Sequence, residues 1–418
     1  MRRSVSRRGA AIPASPIRRL TPFAEEAKRR GVHVYHLNIG QPDLETPAAM
    51  RGRLAQIDAR VLEYSPSAGT REFLEMIQRY YASLGIALRF DEILGTTGGS
   101  EALLFAMMAV ADPGDEIIVV EPFYTNYATF AAMSDVRLVP VTARVRDGFH
   151  LPPRIVWEKA ITRRTRAVVL CNPNNPTGTV FTHAELVDVA ELCRDRGLML
   201  ISDEVYREFV YDGRDRFSAL TLDAISDRVI VVDSLSKRYS ACGIRLGTLI
   251  TRNRDIYAAA MRMAQGRLSP PGLAQMIALG IRDLAPEYIP RAIAEYQRRR
   301  DFLFERLSAI PGVVLHKPEG AFYFIAKFPV DNADHFAEWL LTSFERDGAT
   351  VMLAPASGFY LTPGLGRDEV RIAYVLNESE LRRAVEILAE ALDRYRDAHE
   401  TVSGALAAGA NEEQDAFV

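Results

Sequence analysis

The chain has 418 residues, 48% of them apolar and 25% charged, with a formal charge of −3. That length allows two domains with cores of their own, and the near balance of charge gives no footprint for nucleic acid or an anionic membrane surface. No apolar run approaches the ~20 residues a bilayer span needs, and Cys171, Cys193 and Cys242 lack metal-ligand spacing and fit a reducing cytoplasm without disulfides.

Residues 1–20 are rich in Arg and Ser and contain no acid, the composition of a transit peptide. Closely spaced prolines at Pro13 and Pro16, running straight into a helix over 22–30, argue instead that only 1–9 form a loose arm. The stretch 36–44 reads as a short strand turning at Gly40 and Pro42, where Gly40 permits close backbone approach to a ligand or a turn. An irregular segment, 64–72, exposes Tyr64 ahead of a helix over 71–83. At 93–108 a glycine-rich turn, Gly98-Gly99-Ser100, opens an apolar helix. Such an N-terminus leaves N–H groups free for an anion or merely carries an N-cap.

Short β-branched runs at 115–120, 136–141, 166–171, 198–203 and 228–233 alternate with helical segments, as in a mainly parallel sheet with crossover helices. The carboxyl edge of such a sheet is where ligands bind. The loop 172–178, Asn-Pro-Asn-Asn-Pro-Thr-Gly, is rigid by composition and presents Asn175 there. Asp203 ends the next strand, with Tyr206 three residues on; an acid there is costly unless a cation faces it. Ser234-Leu-Ser-Lys237 follows the last strand, then Arg245 and a further strand to 250. A helical stretch broken at 269–272 runs to about 282. From 286 long charged helices (287–308, 334–347, 379–399) alternate with short strands at 321–325 and 369–373, an α+β pattern. This gives 1–45 as an arm plus part of a small domain, 46–285 as a large α/β domain, 286–400 as the small domain, and 401–418 as a disordered tail.

A phosphate cradle, an amide, a buried acid and a lysine at one sheet edge are what pyridoxal phosphate requires. On residues 172–178, Ser234-Leu-Ser-Lys237 and Gly243-Ile-Arg-Leu-Gly247, the chain closely resembles the fold-type I aminotransferases of class I/II over residues 15–395. The resemblance implies that Lys237 carries the cofactor covalently and moves the Cα proton, and that Asp203 pairs with the pyridine nitrogen. It implies Asn175 and Tyr206 at the ring oxygen, and Tyr124 stacked on the ring. Gly99, Ser100, Ser234, Ser236 and Arg245 would hold the phosphate. Tyr64 would reach the neighbouring subunit's cofactor in a homodimer with shared sites. Arg371 would fork the substrate's α-carboxylate, beside Gly40 and Asn175. Arg267, near but offset from where such enzymes place an arginine of the other subunit, would clamp an acidic side chain, with Arg18 and Arg19 as weaker candidates. The implied reaction moves an amino group from an aspartate- or glutamate-like donor to a 2-oxo acid through pyridoxamine phosphate. A lyase on the same scaffold, eliminating at Cβ or forming a cyclopropane, uses the same cofactor residues. A cofactor-sensing regulator would need a DNA-binding module that the roughly 20 preceding residues do not make. The loop 354–360, Ala-Pro-Ala-Ser-Gly-Phe-Tyr, departs from the family's Pro-Gly-x-x-Phe-Gly and touches side-chain preference more than reaction type.

Overall fold

The computed structural model describes residues 4–58 and 60–415, with side chains up to 397. A seven-stranded sheet lies at its centre, in the order Ile93–Thr96, Gly247–Thr251, Val229–Ser234, Met199–Asp203, Thr165–Cys171, Glu116–Glu121, Arg137–Thr142. Only Gly247–Thr251 runs against its neighbours. The apolar strands are continuous because both faces are covered. Ile117, Val119, Ala167, Val169, Ile230 and Val232 enter one core, while Ile118, Val120, Val168, Leu170, Val229 and Val231 enter the other.

The crossover helices start and stop on local signals. Thr182 and Glu185 cap each other's backbone at the head of His183–Arg196, and Gly197 closes it with φ 67°. With the parallel strands all ending at one edge, the loops after Thr96, Glu121, Cys171, Asp203 and Ser234 converge there, and Arg245 enters the antiparallel strand from the same side.

A second sheet pairs Tyr323–Lys327 with Glu369–Ala373, setting Ile325 opposite Arg371. The strand His33–His36 pairs in parallel with Ala349–Met352, which ties the N-terminal segment to the C-terminal part of the chain. The expected strand over 36–44 is not one. Its backbone is used elsewhere: the carbonyl of Asn38 accepts from Arg371 at 2.5 Å and that of Gly40 from Lys237 at 2.6 Å. One further expectation changes. The loose arm contains a short helix, Arg7–Ala11, whose end Ser6 caps by accepting from the Gly9 N–H. The last helix is Glu378–Asp415. Residues 416–418 lie outside the described residues, and among those described no helix is long and apolar enough to cross a membrane.

Half-buried His150 links the two sheets' surroundings. Its Nδ1 lies 3.0 Å from Glu185 and its Nε2 3.7 Å from Glu319, and the Glu319 N–H donates to Gly178 in the 172–178 loop. The hydrogen bond to Glu185 and the nearby Glu319 carboxylate raise its pKa to about 9. A raised pKa stabilises the fold fully below the ordinary histidine value, and the gain disappears as pH rises through about 9. His150→Gln should therefore cost about 1–2 kcal/mol at pH 6 after solvent screening. It should also flatten the fall in Tm between pH 7 and 9.5; a variant with the parent's pH slope would refute the linkage.

Candidate functional site

A cavity of about 580 Å³ opens at the carboxyl edge of the large sheet and is closed on its other side by the smaller one. Gly40, Gly99, Ser100, Tyr124, Asn175, Asp203, Tyr206, Ser234, Ser236, Lys237, Arg245 and Arg371 all line it. A larger depression, about 850 Å³, lies beside Arg8, Arg137 and Arg164 and contains none of these residues.

One end of the cavity is built for an anion. The helix Gly98–Val110 starts there with two buried glycines, so its first N–H groups have no intrahelical acceptors. Gly98 has φ 71°, and a Cβ at that position would lie 2.5 Å from Arg245 Nη2, so the guanidinium crosses directly over the turn. Ser234 Oγ donates to Ser236 Oγ at 2.9 Å, which places both hydroxyls on the same wall.

Two buried acids at adjacent strand ends differ sharply. Asp233 meets Arg238 at 2.7 Å and Arg207 at 2.9 Å, with Tyr81 donating at 3.1 Å. Burial pushes its pKa up, but the two guanidiniums hold it below the usual carboxylate range. Asp203 is equally buried and receives only Tyr127 O–H at 2.8 Å and a long contact from the Val205 N–H. Burial raises its pKa to about 6. No cation pairs with it among the described residues, and it faces the cavity. Such an acid lacks a positive partner that a ligand can supply.

Lys237 Nζ projects into the same space, held by the Gly40 carbonyl and 5.8 Å from the Tyr206 ring centroid. Asn175 is fixed by a self-bonded loop: Asn174 Oδ1 accepts from Thr177, and Asn172 Oδ1 accepts from the Phe181 N–H. Asn175 Oδ1 accepts from Arg371 Nη1 at 3.1 Å. Arg371 is buried, burial lowers its pKa, and its Nε has no partner. Tyr124, whose pKa burial raises to about 12, receives Asn126 Nδ2 at 2.8 Å.

Three sequence-predicted residues do not join this group. Tyr64 is 81% exposed and lies outside the cavity of its own chain. Arg267 also lies outside. It pairs with Glu101 at 3.3 Å and donates to the Gly95 carbonyl at 3.0 Å; the clamp expected of it is one made across to the other subunit's site. Glu101, one turn into the neighbouring helix, captures it. Arg19 is likewise taken, by Asp334, whereas Arg18 lines the cavity mouth.

Sequence reasoning missed Tyr127, Asn38, Tyr323 and the Asp233–Arg207–Arg238 cluster. Tyr127 follows Tyr124 at helical spacing and could have been flagged on that ground. The others depend on tertiary pairing. As a whole the arrangement can hold a phosphorylated heteroaromatic cation beside a free amine, with a guanidinium placed for a second, carboxylate-bearing molecule.

The sequence profile of the family described as aminotransferase class I and II matches residues 32–388. An aspartate/prephenate aminotransferase of Thermus thermophilus is 32% identical over 402 residues, covering 94% of this chain and all of the relative. A probable aspartate/prephenate aminotransferase of Aquifex aeolicus is 31% identical over 398 residues, with 94% and 100% covered. Among solved structures, the aspartate aminotransferase of Thermus thermophilus with maleate superposes with TM-score 0.83 at 30% identity. The alanine aminotransferase of Pyrococcus furiosus gives 0.85 at 28%. Each covers 93% of this chain and 100% of its own.

Proposed function

The chain belongs to the class I and II aminotransferases, fold-type I enzymes that use pyridoxal phosphate, and on that premise we propose that this cavity moves the amino group of an acidic L-amino acid to a 2-oxo acid. The observation that carries the site assignment is Asp203, a buried carboxylate without a cation on the wall that also carries Lys237. The residues fit the cofactor. Asp203 matches a protonated ring nitrogen, and the Gly98 turn under Arg245 matches a phosphate, with Gly99, Ser100, Ser234 and Ser236 completing the cradle.

Bound pyridoxal phosphate supplies an electrophilic carbonyl and a ring that accepts the electrons left at the substrate's Cα. The chain supplies the rest. Lys237 would hold the cofactor, and its amine, freed when substrate binds, would be the base that carries the Cα proton. Asp203 would keep the ring nitrogen protonated. Asn175 Oδ1 is already occupied by Arg371, which leaves its amide N–H groups to donate to the ring oxygen beside Tyr206. Tyr124, on the cavity wall, would cover the ring. Arg371, with its free Nε, forks the substrate's α-carboxylate beside Gly40.

The preference for an acidic donor rests on the names of the relatives and on Arg18, the exposed cation at the cavity mouth. Arg18→Ala should lower kcat/KM for aspartate and glutamate by about 10–100-fold, the worth of a charge-assisted hydrogen bond, and leave alanine nearly unchanged. Equal losses for all donors would remove Arg18 from this role.

The same reading extends to assembly and place. Tyr64, Val61, Leu62, Leu268, Leu273 and Met276 are each exposed, and Ser65 and Ser67 tie their segment to the Pro270 and Leu268 carbonyls, which favours a homodimer in which Tyr64 reaches the partner's phosphate. A division between domains near residue 285 and a cytoplasmic location belong to it too. The deciding experiment is a visible spectrum of the cofactor-loaded protein while single amino acids are added. Conversion to the pyridoxamine form with release of the matching 2-oxo acid supports transfer. Ammonia without that form would replace transfer with elimination.

A further inference from the structure

We propose that Tyr323 is a positioning residue for the cofactor's ring oxygen, acting through Tyr206 from the smaller sheet; the proposal rests on the cofactor assignment above. Tyr323 opens the strand Tyr323–Lys327 and is 2% exposed. Its hydroxyl lies 2.7 Å from that of Tyr206, with the rings edge to face at 5.6 Å. The Arg371 guanidinium lies 4.6 Å from its ring centroid. A Cβ on Gly40 would overlap the Tyr323 hydroxyl, so residue 40 must be glycine for its carbonyl to reach Lys237. One phenol thus touches the ring-oxygen donor, the segment that holds the amine, and the carboxylate fork.

The direction of the hydrogen bond follows from counting protons. A phenol has one proton and accepts through its oxygen. If Tyr206 spends its proton on the cofactor's ring oxygen, the 2.7 Å contact requires Tyr323 to donate to Tyr206. That donation polarises the Tyr206 O–H and strengthens its hold on the ring oxygen's anionic form. Because Tyr206 follows a strand of the large sheet and Tyr323 belongs to the small one, the relation of the two sheets is transmitted to the proton affinity of the bound cofactor. The other groups facing Tyr206 are Cys171, Tyr124, Lys237 and Arg371. A phenylalanine at 323 leaves all of them in place.

The test is a pH titration of the visible absorption of the pyridoxal-phosphate-loaded full chain without substrate, so it does not depend on which donor is used or whether transfer occurs. Tyr323→Phe should raise the midpoint by about 0.5–1 pH unit, since a weaker donor lets the ring oxygen keep its proton to higher pH. Tyr206→Phe should raise it as well, and adding Tyr323→Phe to that variant should change nothing further. Fluorotyrosine at 323, the same shape with a more acidic phenol, should move the midpoint down. A Tyr323→Phe midpoint equal to the parent's, a shift that persists without the Tyr206 hydroxyl, or a fluorotyrosine midpoint that stays or rises would each overturn the proposal.

Discussion

Lys237→Ala should lower turnover by about 10⁴-fold or more while the protein stays folded, because in the proposed reaction one side chain both attaches the cofactor and moves the Cα proton. The structure leaves no substitute. The other lysines are Lys28, Lys159, Lys317 and Lys327; none lines the cavity. Lys28 pairs with Glu25, Lys317 with Asp301 and Lys327 with Asp368. Removing the amine frees the Gly40 carbonyl in a space open to water, so the cost in Tm should be slight. The checks are single-turnover rates and the visible spectrum of the cofactor-treated variant, in which the lysine-bound band should be missing. A band that survives would assign the attachment to another amine.

Acid, lysine and amide were legible because Asp203 ends a buried strand, and Lys237 and Asn175 follow within four residues of the ends of two others at the same sheet edge. Strand alternation into two cores made the large sheet legible for the same reason: Ile117 and Ile118 are both buried, on opposite faces. What stayed hidden depends on partners distant in sequence. Tyr323 sits in an aromatic run where Phe322 and Phe324 are core, and nothing local marks its hydroxyl as the one that meets Tyr206. Nothing in the sequence reveals the contact of Arg267 with Glu101, 166 positions earlier. The strand expected over 36–44 failed because backbone–side-chain bonds to Arg371 and Lys237 outcompete a ladder there, and periodicity carries no trace of them. The pairing of Asp233 with Arg207 and Arg238 was likewise invisible, although it decides which of two adjacent buried acids is left for a ligand.

That contrast sets the second large effect. Asp203→Asn keeps the shape and can still accept from Tyr127, but it cannot hold a proton on the ring nitrogen by charge. Turnover should fall by about 10³-fold or more, since the lost interaction is strongest where negative charge flows into the ring. Stability should move the other way. In the cofactor-free protein the Asp203 pKa is raised to about 6, so the folded state binds a proton that the unfolded chain releases near pH 4. Folding is therefore penalised as pH climbs from about 4 to 6, and the penalty persists above that range. Without cofactor, Asp203→Asn should be more stable than the parent at pH 8 by about 1–3 kcal/mol and close to it at pH 4. With cofactor the order should narrow or reverse, because the cationic ring compensates the carboxylate only in the parent. Melting curves at the two pH values, with and without pyridoxal phosphate, separate an acid kept for its charge from one kept for its shape. If Asn lowered the stability of the cofactor-free protein equally at pH 4 and pH 8, Asp203 would be a packing residue, and the cation it awaits would have to be sought elsewhere.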